Sequence, residues 1–280
     1  MKTPAPRLAC LFLLTFFFLL SGLTMHGSDF ATPVMNATFK LFHPASTSTC
    51  FLVQRAPPDK TVYLVTAGHS LTRTKGETAT LVLRKPMPDG SFQRLDHTIA
   101  IRSDDTPLWI NHPEQDVAVL PLSERLPFGI PALNASVLAS ETRLRATKIH
   151  IGSPLLVLTF PQRFEANGAG FPVARQGIFA SPPLLPIKTH PTFLADFTTF
   201  AGDSGGPVFV SGKNNQPLVV GVVVAQHHYE DKVSSEYEER TIRHPLGMGT
   251  VVHSQYVRET LALTARKSAR KTPKTTGPLP

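Results

Sequence analysis

The chain has 280 residues, of which 41% are hydrophobic and 17% charged, and its formal net charge is +8. The basic excess lies at the two ends, because residues 1–28 hold two Lys or Arg and residues 264–280 hold five, and neither segment contains an acid. The remaining body has 21 basic and 20 acidic residues. Its charge therefore gives no indication of a face that binds nucleic acid.

The N-terminus has basic residues followed by an apolar block. Lys2 and Arg7 precede or border an apolar region over residues 8–25. This pattern is typical of secretion, so residues 1–28 are predicted to be a signal peptide. The region is also long enough to cross a bilayer, and no Ala-x-Ala site follows it, so an uncleaved membrane anchor stays an alternative. In both cases the folded part is expected outside the cytoplasm, secreted or periplasmic.

Cysteine usage limits how this folded part is held together. Cys10 lies inside the apolar N-terminal block, which leaves Cys50 as the one cysteine of the remaining chain. A disulfide within that part is therefore excluded. Cys50 stands in an apolar segment without a neighbouring base, so it is predicted to be a small core residue rather than a reactive thiol.

Short apolar segments punctuated by Pro and Gly fill the body, which indicates an all-β fold. Strands are predicted at residues 35–41, 50–54, 62–66, 78–83, 97–101, 117–121, 155–160, 173–179, 207–210, 218–225 and 248–252. Helical character is confined to residues 253–264. The polar segment 229–244 is predicted to be a loop, with the preceding His227-His228 pair solvated rather than bound to a metal. The Lys-, Thr- and Pro-rich residues 264–280 are predicted to be a disordered basic tail.

One stretch, residues 201–207, places Ser204 among three glycines. Glycine permits backbone conformations in which amide N–H groups converge beside the serine oxygen, as an oxyanion hole requires. A serine hydroxyl also needs a base within reach and a third group that orients the base. His69 ends a β-branched strand and Asp116 begins an apolar one, so the sequence supplies both partners.

The three motifs resemble those of the chymotrypsin/trypsin-like serine endopeptidases. Thr-Ala-Gly-His69, Asp116-Val-Ala-Val-Leu and Gly-Asp-Ser204-Gly-Gly-Pro stand in that family's order and are separated by 47 and 88 residues. The absence of disulfides is most like the family's bacterial members. The resemblance covers about residues 35–262 and implies a protease domain over residues 29–263. It implies two six-stranded antiparallel barrels, near residues 35–126 and 154–252, with a short C-terminal helix.

The resemblance also implies roles for single residues. His69, Asp116 and Ser204 would form the catalytic triad, and the amides of Gly202 and Ser204 would form the oxyanion hole. The remaining matches concern substrate binding: Thr198 at the base of the primary specificity pocket, and Val224, Ala225 and Gln226 at its wall. A slip of one or two residues within 197–200 is the alternative for the pocket base. A neutral Thr198 predicts cleavage after small or medium uncharged side chains.

These features together predict a serine endopeptidase that acts on peptides or proteins and needs no cofactor or metal. The alternative is a protease-like module that binds a peptide or surface ligand with little turnover. Such modules usually lack one of the triad residues, and none is lacking here. The sequence does not indicate an oligomeric state.

Asp203 raises the question of activation. In family members made as zymogens, the matching aspartate pairs with an N-terminal amine that proteolysis releases. No basic residue followed by Ile-Val-Gly-Gly precedes the first predicted strand. We therefore expect internal amides or a side chain to hold Asp203, and the exported protein to need no further proteolysis.

Overall fold

The computed structural model describes residues 29–56, 61–122, 126–182 and 184–271, with side chains as far as residue 265. The predicted signal or anchor segment and residues 272–280 lie outside the described residues. Within the described part, no helix combines the length and apolar character that crossing a membrane requires.

The first half of the chain forms an eight-stranded, barrel-like sheet. Its strands are β1 (Thr38–His43), β2 (Ser46–Gln54), β3 (Val62–Thr66), β4 (Thr78–Pro86), β5 (Phe92–Ala100), β8 (Ile110–Asn111), β9 (Ala118–Leu122) and β10 (Leu133–Asn134), while β6 (Arg102–Ser103) and β7 (Thr106–Pro107) form a separate small hairpin. The strands follow the order β5-β4-β1-β2-β3-β9-β8, and β10 pairs with β2 in parallel. Helix α1 (Ala31–Ala37) precedes β1, and helix α2 (Gly68–Arg73) follows β3.

The second half forms a closed barrel of six strands in the order β11-β12-β13-β16-β15-β14. These strands are β11 (Pro154–Thr159), β12 (Val173–Phe179), β13 (Thr192–Asp196), β14 (Pro207–Ser211), β15 (Pro217–Ser234) and β16 (Glu239–His253). Helix α3 (Glu141–Ala146) lies in the connection between the two sheets, and helix α4 (Ser254–Lys271) closes the chain. The all-β fold with two barrel units and a C-terminal helix is thus confirmed.

Strands β2 and β3 are buried on both faces where they pair, and residues 50–53 and 62–65 are accordingly apolar without interruption. One face holds Cys50, Leu52 and Leu64 in the core of the first sheet. The other face, with Phe51 and Val65, packs into the core that the second barrel shares with α4. The two halves are therefore joined by apolar packing along the cleft between them. Burial raises the pKa of the Cys50 thiol, as the predicted core position requires.

A buried arginine fixes the N-terminal helix to the sheet. The Arg84 guanidinium donates to three carbonyl oxygens at the end of α1 and to Gly170 O, 3.0 Å away. It also lies between the rings of Phe39 and Phe171, so the charge has partners on every side. Burial lowers the pKa of Arg84 to about 10, which leaves it charged at neutral pH. The loop that follows β11, to which Gly170 belongs, is held against the first sheet by this contact.

Several predicted elements were wrong. The strand expected at residues 35–41 begins only at Thr38, because residues 31–37 are helical and the Asp29 carboxylate accepts the N–H of Ala31, 2.9 Å away. Strand β13 was missed. The loop expected at residues 229–244 is a hairpin of β15 and β16. Helix α4 ends at Lys271, so the tail expected to be disordered from residue 264 is helical as far as that residue.

Candidate active site

His69 stands at the start of α2, directly after β3. Ala67 has an extended backbone and ends the strand, and the helix begins at Gly68. The side chain is half-buried. Its position is fixed by the backbone, since the His69 N–H donates to Asp116 Oδ1 at 2.8 Å and Gly68 N–H donates to Asp116 O at 3.3 Å. Two hydrogen bonds from backbone N–H groups therefore join the segment after β3 to Asp116, independently of any contact that the imidazole ring makes.

Asp116 uses its second carboxylate oxygen to hold the imidazole. Oδ2 lies 2.5 Å from His69 Nδ1, in a segment just before β9. Burial acts to raise the pKa of Asp116, but the hydrogen bonds and charge of His69, with the charge of Arg73, outweigh it and leave the pKa below its ordinary value. The carboxylate is thus ionised at neutral pH, and it favours the ring tautomer that carries its proton on Nδ1.

Ser204 completes the arrangement from the second barrel. Its Oγ lies 3.1 Å from His69 Nε2, across the cleft between the two halves. The three side chains that the sequence predicted to act together are therefore brought together, in the order carboxylate, imidazole, hydroxyl. The distances are those of a hydrogen-bonded chain in which the ring can accept the hydroxyl proton.

The glycines of the serine loop are required by close packing. Gly202 has φ +98°, and a Cβ at that position would lie 2.3 Å from Phe160 O. Gly205 has φ +90°, and a Cβ there would lie 2.0 Å from Thr49 O. Both residues have a positive φ, which favours glycine, and each lies against a backbone oxygen that leaves no room for a Cβ. A side chain at either one would displace the serine.

Two neighbours orient the amides of this loop. Gln162 N–H donates to Ala201 O at 2.7 Å, and because the carbonyl and N–H of one peptide point in opposite directions, the Gly202 N–H faces away from Gln162. Thr49 binds the next carbonyls: its Oγ1 donates to Gly202 O at 2.8 Å, and its N–H donates to Ser204 O at 2.9 Å. No described hydrogen bond uses the N–H of Gly202 or Ser204, the two amides predicted for the oxyanion hole.

Asp203 is held by a residue of the second barrel, and its side chain is only 2% exposed. Arg175 on β12 forms an ion pair with it, with Nη2 2.7 Å from Oδ1. Phe200 N–H donates to the other carboxylate oxygen at 2.7 Å. The guanidinium also donates to Thr159 Oγ1 and to Thr198 O. The internal partner that the sequence left unnamed is thus a side chain together with a backbone amide.

A cleft of about 830 Å³ surrounds the triad residues. The three predicted wall residues, Val224, Ala225 and Gln226, all line it. Thr198 does not: it is exposed on the surface, and Thr199 lines the cleft instead. This placement agrees with the alternative of a one-residue slip within 197–200, and in an extended segment such a shift exchanges the two faces. Thr199 Oγ1 donates to Met248 O at 3.1 Å, which fixes its position.

The adjacent histidine pair lies at the base of the hairpin. His227 Nε2 is 2.7 Å from Thr250 Oγ1, and His228 is 3.9 Å from Glu230. In the described portion of the chain, no group of three or more His, Cys, Asp or Glu side chains is arranged to hold a metal ion.

The sequence did not reveal three residues that shape this site: Thr49, Gln162 and Arg175. Each acts through contacts that join positions far apart in the chain, such as the 153 residues between Thr49 and Gly202. The local sequence around each one is that of an ordinary strand or turn. Only Asp203, as a charged residue predicted to be buried, indicated that such a partner exists.

Comparison with known proteins finds no matching family model and no matching curated protein. Solved structures do match. A structure of Rv3671c from M. tuberculosis H37Rv, an inactive serine-to-alanine mutant, shares 18% identity over 98% of each chain, with a TM-score of 0.48. A structure of the Rv3671c protease in its inactive form shares 20% identity over 83% of this chain and 91% of that chain, with a TM-score of 0.45.

Proposed function

We propose that the protein is a trypsin-like serine endopeptidase that hydrolyses peptide bonds through an acyl-enzyme. One observation carries the proposal: Ser204 Oγ lies 3.1 Å from His69 Nε2, while the opposite ring nitrogen lies 2.5 Å from Asp116. A hydroxyl, a base and an orienting carboxylate in one cleft are the parts that acyl transfer requires. Peptides and proteins are the proposed substrates.

In the proposed mechanism, each group carries out one step. Ser204 Oγ attacks the substrate carbonyl carbon as its proton passes to His69 Nε2, and Asp116 stabilises the imidazolium that forms. The amides of Gly202 and Ser204 stabilise the negative oxygen. His69 then gives the proton to the departing amine, the carbon–nitrogen bond breaks, and the acyl group stays on Oγ. Water then attacks the acyl carbon as its proton passes to His69, and the ester bond to Oγ breaks as His69 returns the proton to Ser204, which releases the carboxylic acid.

The lining of the cleft bears on substrate choice. Thr199, Val224, Ala225 and Gln226 are uncharged, and none can neutralise a cation held between them. We propose that cleavage follows small or medium uncharged side chains. A peptide-library profile tests this, and dominance of Arg or Lys before the cleaved bond would contradict it.

Labelling with a fluorophosphonate probe tests the activity itself, because the probe reacts only with an activated serine. The wild-type protein should be labelled and should cleave peptides, and Ser204→Ala should lose both while it remains folded by circular dichroism. Ser211→Ala, a change at an exposed serine of the same barrel, should retain both. A folded wild-type protein that neither reacts with the probe nor cleaves the library would indicate the binding module instead.

Export is proposed from the sequence of residues 1–28, which the described structure does not include. Expression of the full chain in a bacterial host, followed by fractionation and N-terminal sequencing of the product, separates the alternatives. A processed product outside the cytoplasm supports a signal peptide, and an intact product in the membrane fraction supports an anchor. A product found in the cytoplasm, whether processed or intact, would contradict export.

A further inference from the structure

The cleft has two different flanks on either side of Ser204. One flank is the edge of β15, where Val224 and Gln226 lie. The other is the turn between β1 and β2, with Ala45, and the start of β2, with Thr47. This turn stands close to the serine because β2 is bound to the serine loop through Thr49. A peptide in the cleft must therefore cross from one flank to the other at Ser204.

Positive charge is distributed unequally between the flanks. Arg243, on the β15–β16 hairpin, is neutralised by Glu230, with Nε 2.9 Å from Oε1. Arg73 and Arg163 also line the cleft, and both are exposed. Among the described residues, no carboxylate lies within ion-pair distance of either one. The two arginines are thus available to a ligand.

Both arginines stand on the flank of the β1–β2 turn. Arg73 follows His69 by four positions, so it shares a face of α2 with the imidazole, and α2 packs against β2. Arg163 Nη2 lies 3.5 Å from Pro44 O in the turn, and its guanidinium carbon lies 5.9 Å from the centre of the Phe42 ring. Helix α2, which carries His69, therefore also carries Arg73. Arg163 follows directly after Gln162, whose N–H helps to orient the Gly202 amide.

The carboxylates of the cleft are committed elsewhere. Asp203 is turned inward to Arg175, and both oxygens of Asp116 bind His69. Asp116 does interact with the charge of Arg73, but Arg163 has no described carboxylate within ion-pair distance. The flank therefore keeps an excess of positive charge beside the nucleophile.

We propose that Arg73 and Arg163 bind an acidic side chain of the substrate, on the leaving-group side of the bond that is cleaved. The assignment of sides rests on the proposed function, in which the substrate's acyl part pairs with the β15 edge. A guanidinium forms paired hydrogen bonds with a carboxylate, so glutamate and aspartate are the matching residues. Because both arginines are exposed, each should contribute about two- to fivefold to the rate, and salt should weaken the effect.

The test compares two peptides that differ in one residue. A peptide that the library profile shows to be cleaved is made with Glu or with Gln at the second position after the cleaved bond, and mass spectrometry confirms the cleavage point. The Glu form should have a kcat/KM about tenfold higher at low ionic strength, which is the product of two such pairs. This ratio should fall toward one as NaCl is added.

Variants assign the ratio to the two arginines. R73Q and R163Q should each lower the Glu-to-Gln ratio about two- to fivefold, and the double variant should bring it close to one. Arg145→Gln removes the same charge from an exposed arginine on α3, away from the cleft, and should leave the ratio unchanged.

The outcomes separate the two proposals. Equal rates for both peptides in a wild-type protein that reacts with the fluorophosphonate probe would overturn the acidic preference alone. The same holds if the ratio persists in the double variant. An absence of both labelling and cleavage would overturn the endopeptidase assignment and, with it, the preference.

Discussion

Arg175 Nη2 lies 2.7 Å from Asp203 Oδ1, behind the loop that presents Ser204. The two side chains are 16% and 2% exposed, so the pair is shielded from water. Asp203 neighbours Ser204 in sequence, and its carboxylate also accepts the Phe200 N–H. A residue of β12 therefore fixes the backbone that leads into the serine, although it does not line the cleft.

Removal of this cation should damage the site more than the overall fold. Arg175→Gln leaves Asp203 buried without a counter-charge, and breaking a buried pair typically costs about 3–5 kcal/mol. We expect a lower melting temperature and a kcat reduced at least tenfold with little change in KM, because the serine loop loses its support. Arg175→Lys should restore part of kcat, whereas Arg240→Gln, at an exposed hairpin pair, should change neither value. If the Arg175→Gln variant had the kcat of the wild type, the serine loop would not need Arg175 to keep its conformation.

The same ion pair predicts independence from a free N-terminus. Asp203 already has a cation and an amide, so a released amine has no carboxylate left to bind. Residues 29–280 carrying an N-terminal extension that cannot be trimmed should react with the fluorophosphonate probe as fast as the unextended protein. Labelling that appears only after cleavage near residues 29–35 would contradict this expectation.

Thr49 gives a test of how the amides are oriented. Its hydroxyl donates to Gly202 O and accepts the Phe160 N–H, and the side chain is fully buried. Thr49→Val keeps the shape and leaves both groups without a partner, which should lower the free energy of unfolding by about 1–3 kcal/mol and reduce kcat. Thr49→Ser retains the hydroxyl and should keep most of kcat. Chemical denaturation and steady-state kinetics measure the two effects, and equal kcat in both variants would argue against this role.

His253 should make stability depend on pH. The residue is 1% exposed, and burial lowers its pKa to about 4, with the charges of Glu141 and His190 acting in opposite directions. In the unfolded chain the ring binds its proton near pH 6.5, so between pH 6.5 and 4 the unfolded state holds more protons. The free energy of unfolding should therefore fall as the pH is lowered through that window, by about 3 kcal/mol in total.

Replacement of the histidine isolates this contribution. His253→Phe keeps an aromatic ring beside Phe193, whose centroid lies 5.0 Å from that of the imidazole. Urea unfolding at pH 7 and at pH 4.5 should show a smaller difference in the variant than in the wild type. An unchanged difference would mean that other groups cause the acid sensitivity.

The sequence predicted those elements whose burial is visible in a local pattern of apolar and polar residues. Strands at residues 62–66 and 173–179 were predicted to the residue, and the first is an apolar run of the kind that burial on two faces produces. The triad residues were recognisable because each belongs to a short motif beside an apolar strand, and the three motifs resemble those of a known family in order and spacing. For these strands and motifs, the pattern of neighbouring residues in the sequence was sufficient for the prediction.

Other elements depend on partners that local sequence does not encode. Residues 229–244 are polar and resemble a loop, yet cross-strand pairing holds them as a hairpin. Residues 35–37 were predicted to begin a strand, but they end a short helix whose two ends are held by Asp29 and Arg84. Thr198 and Thr199 differ only in which face of one segment they occupy. Arg175 gave no indication of its partner, since 28 residues separate it from Asp203.

The separation of Ser204 from His69, 135 residues along the chain, has a consequence for the timing of activity. The hydroxyl and its base belong to different halves, and contacts of such long range form only after the loop between them has closed. In a chain that is still being synthesised, or that has folded only one half, the Ser204 hydroxyl has no base beside it and is unreactive. In the proposed protease, the Ser204 hydroxyl is expected to become a nucleophile only late in folding, when the two halves dock.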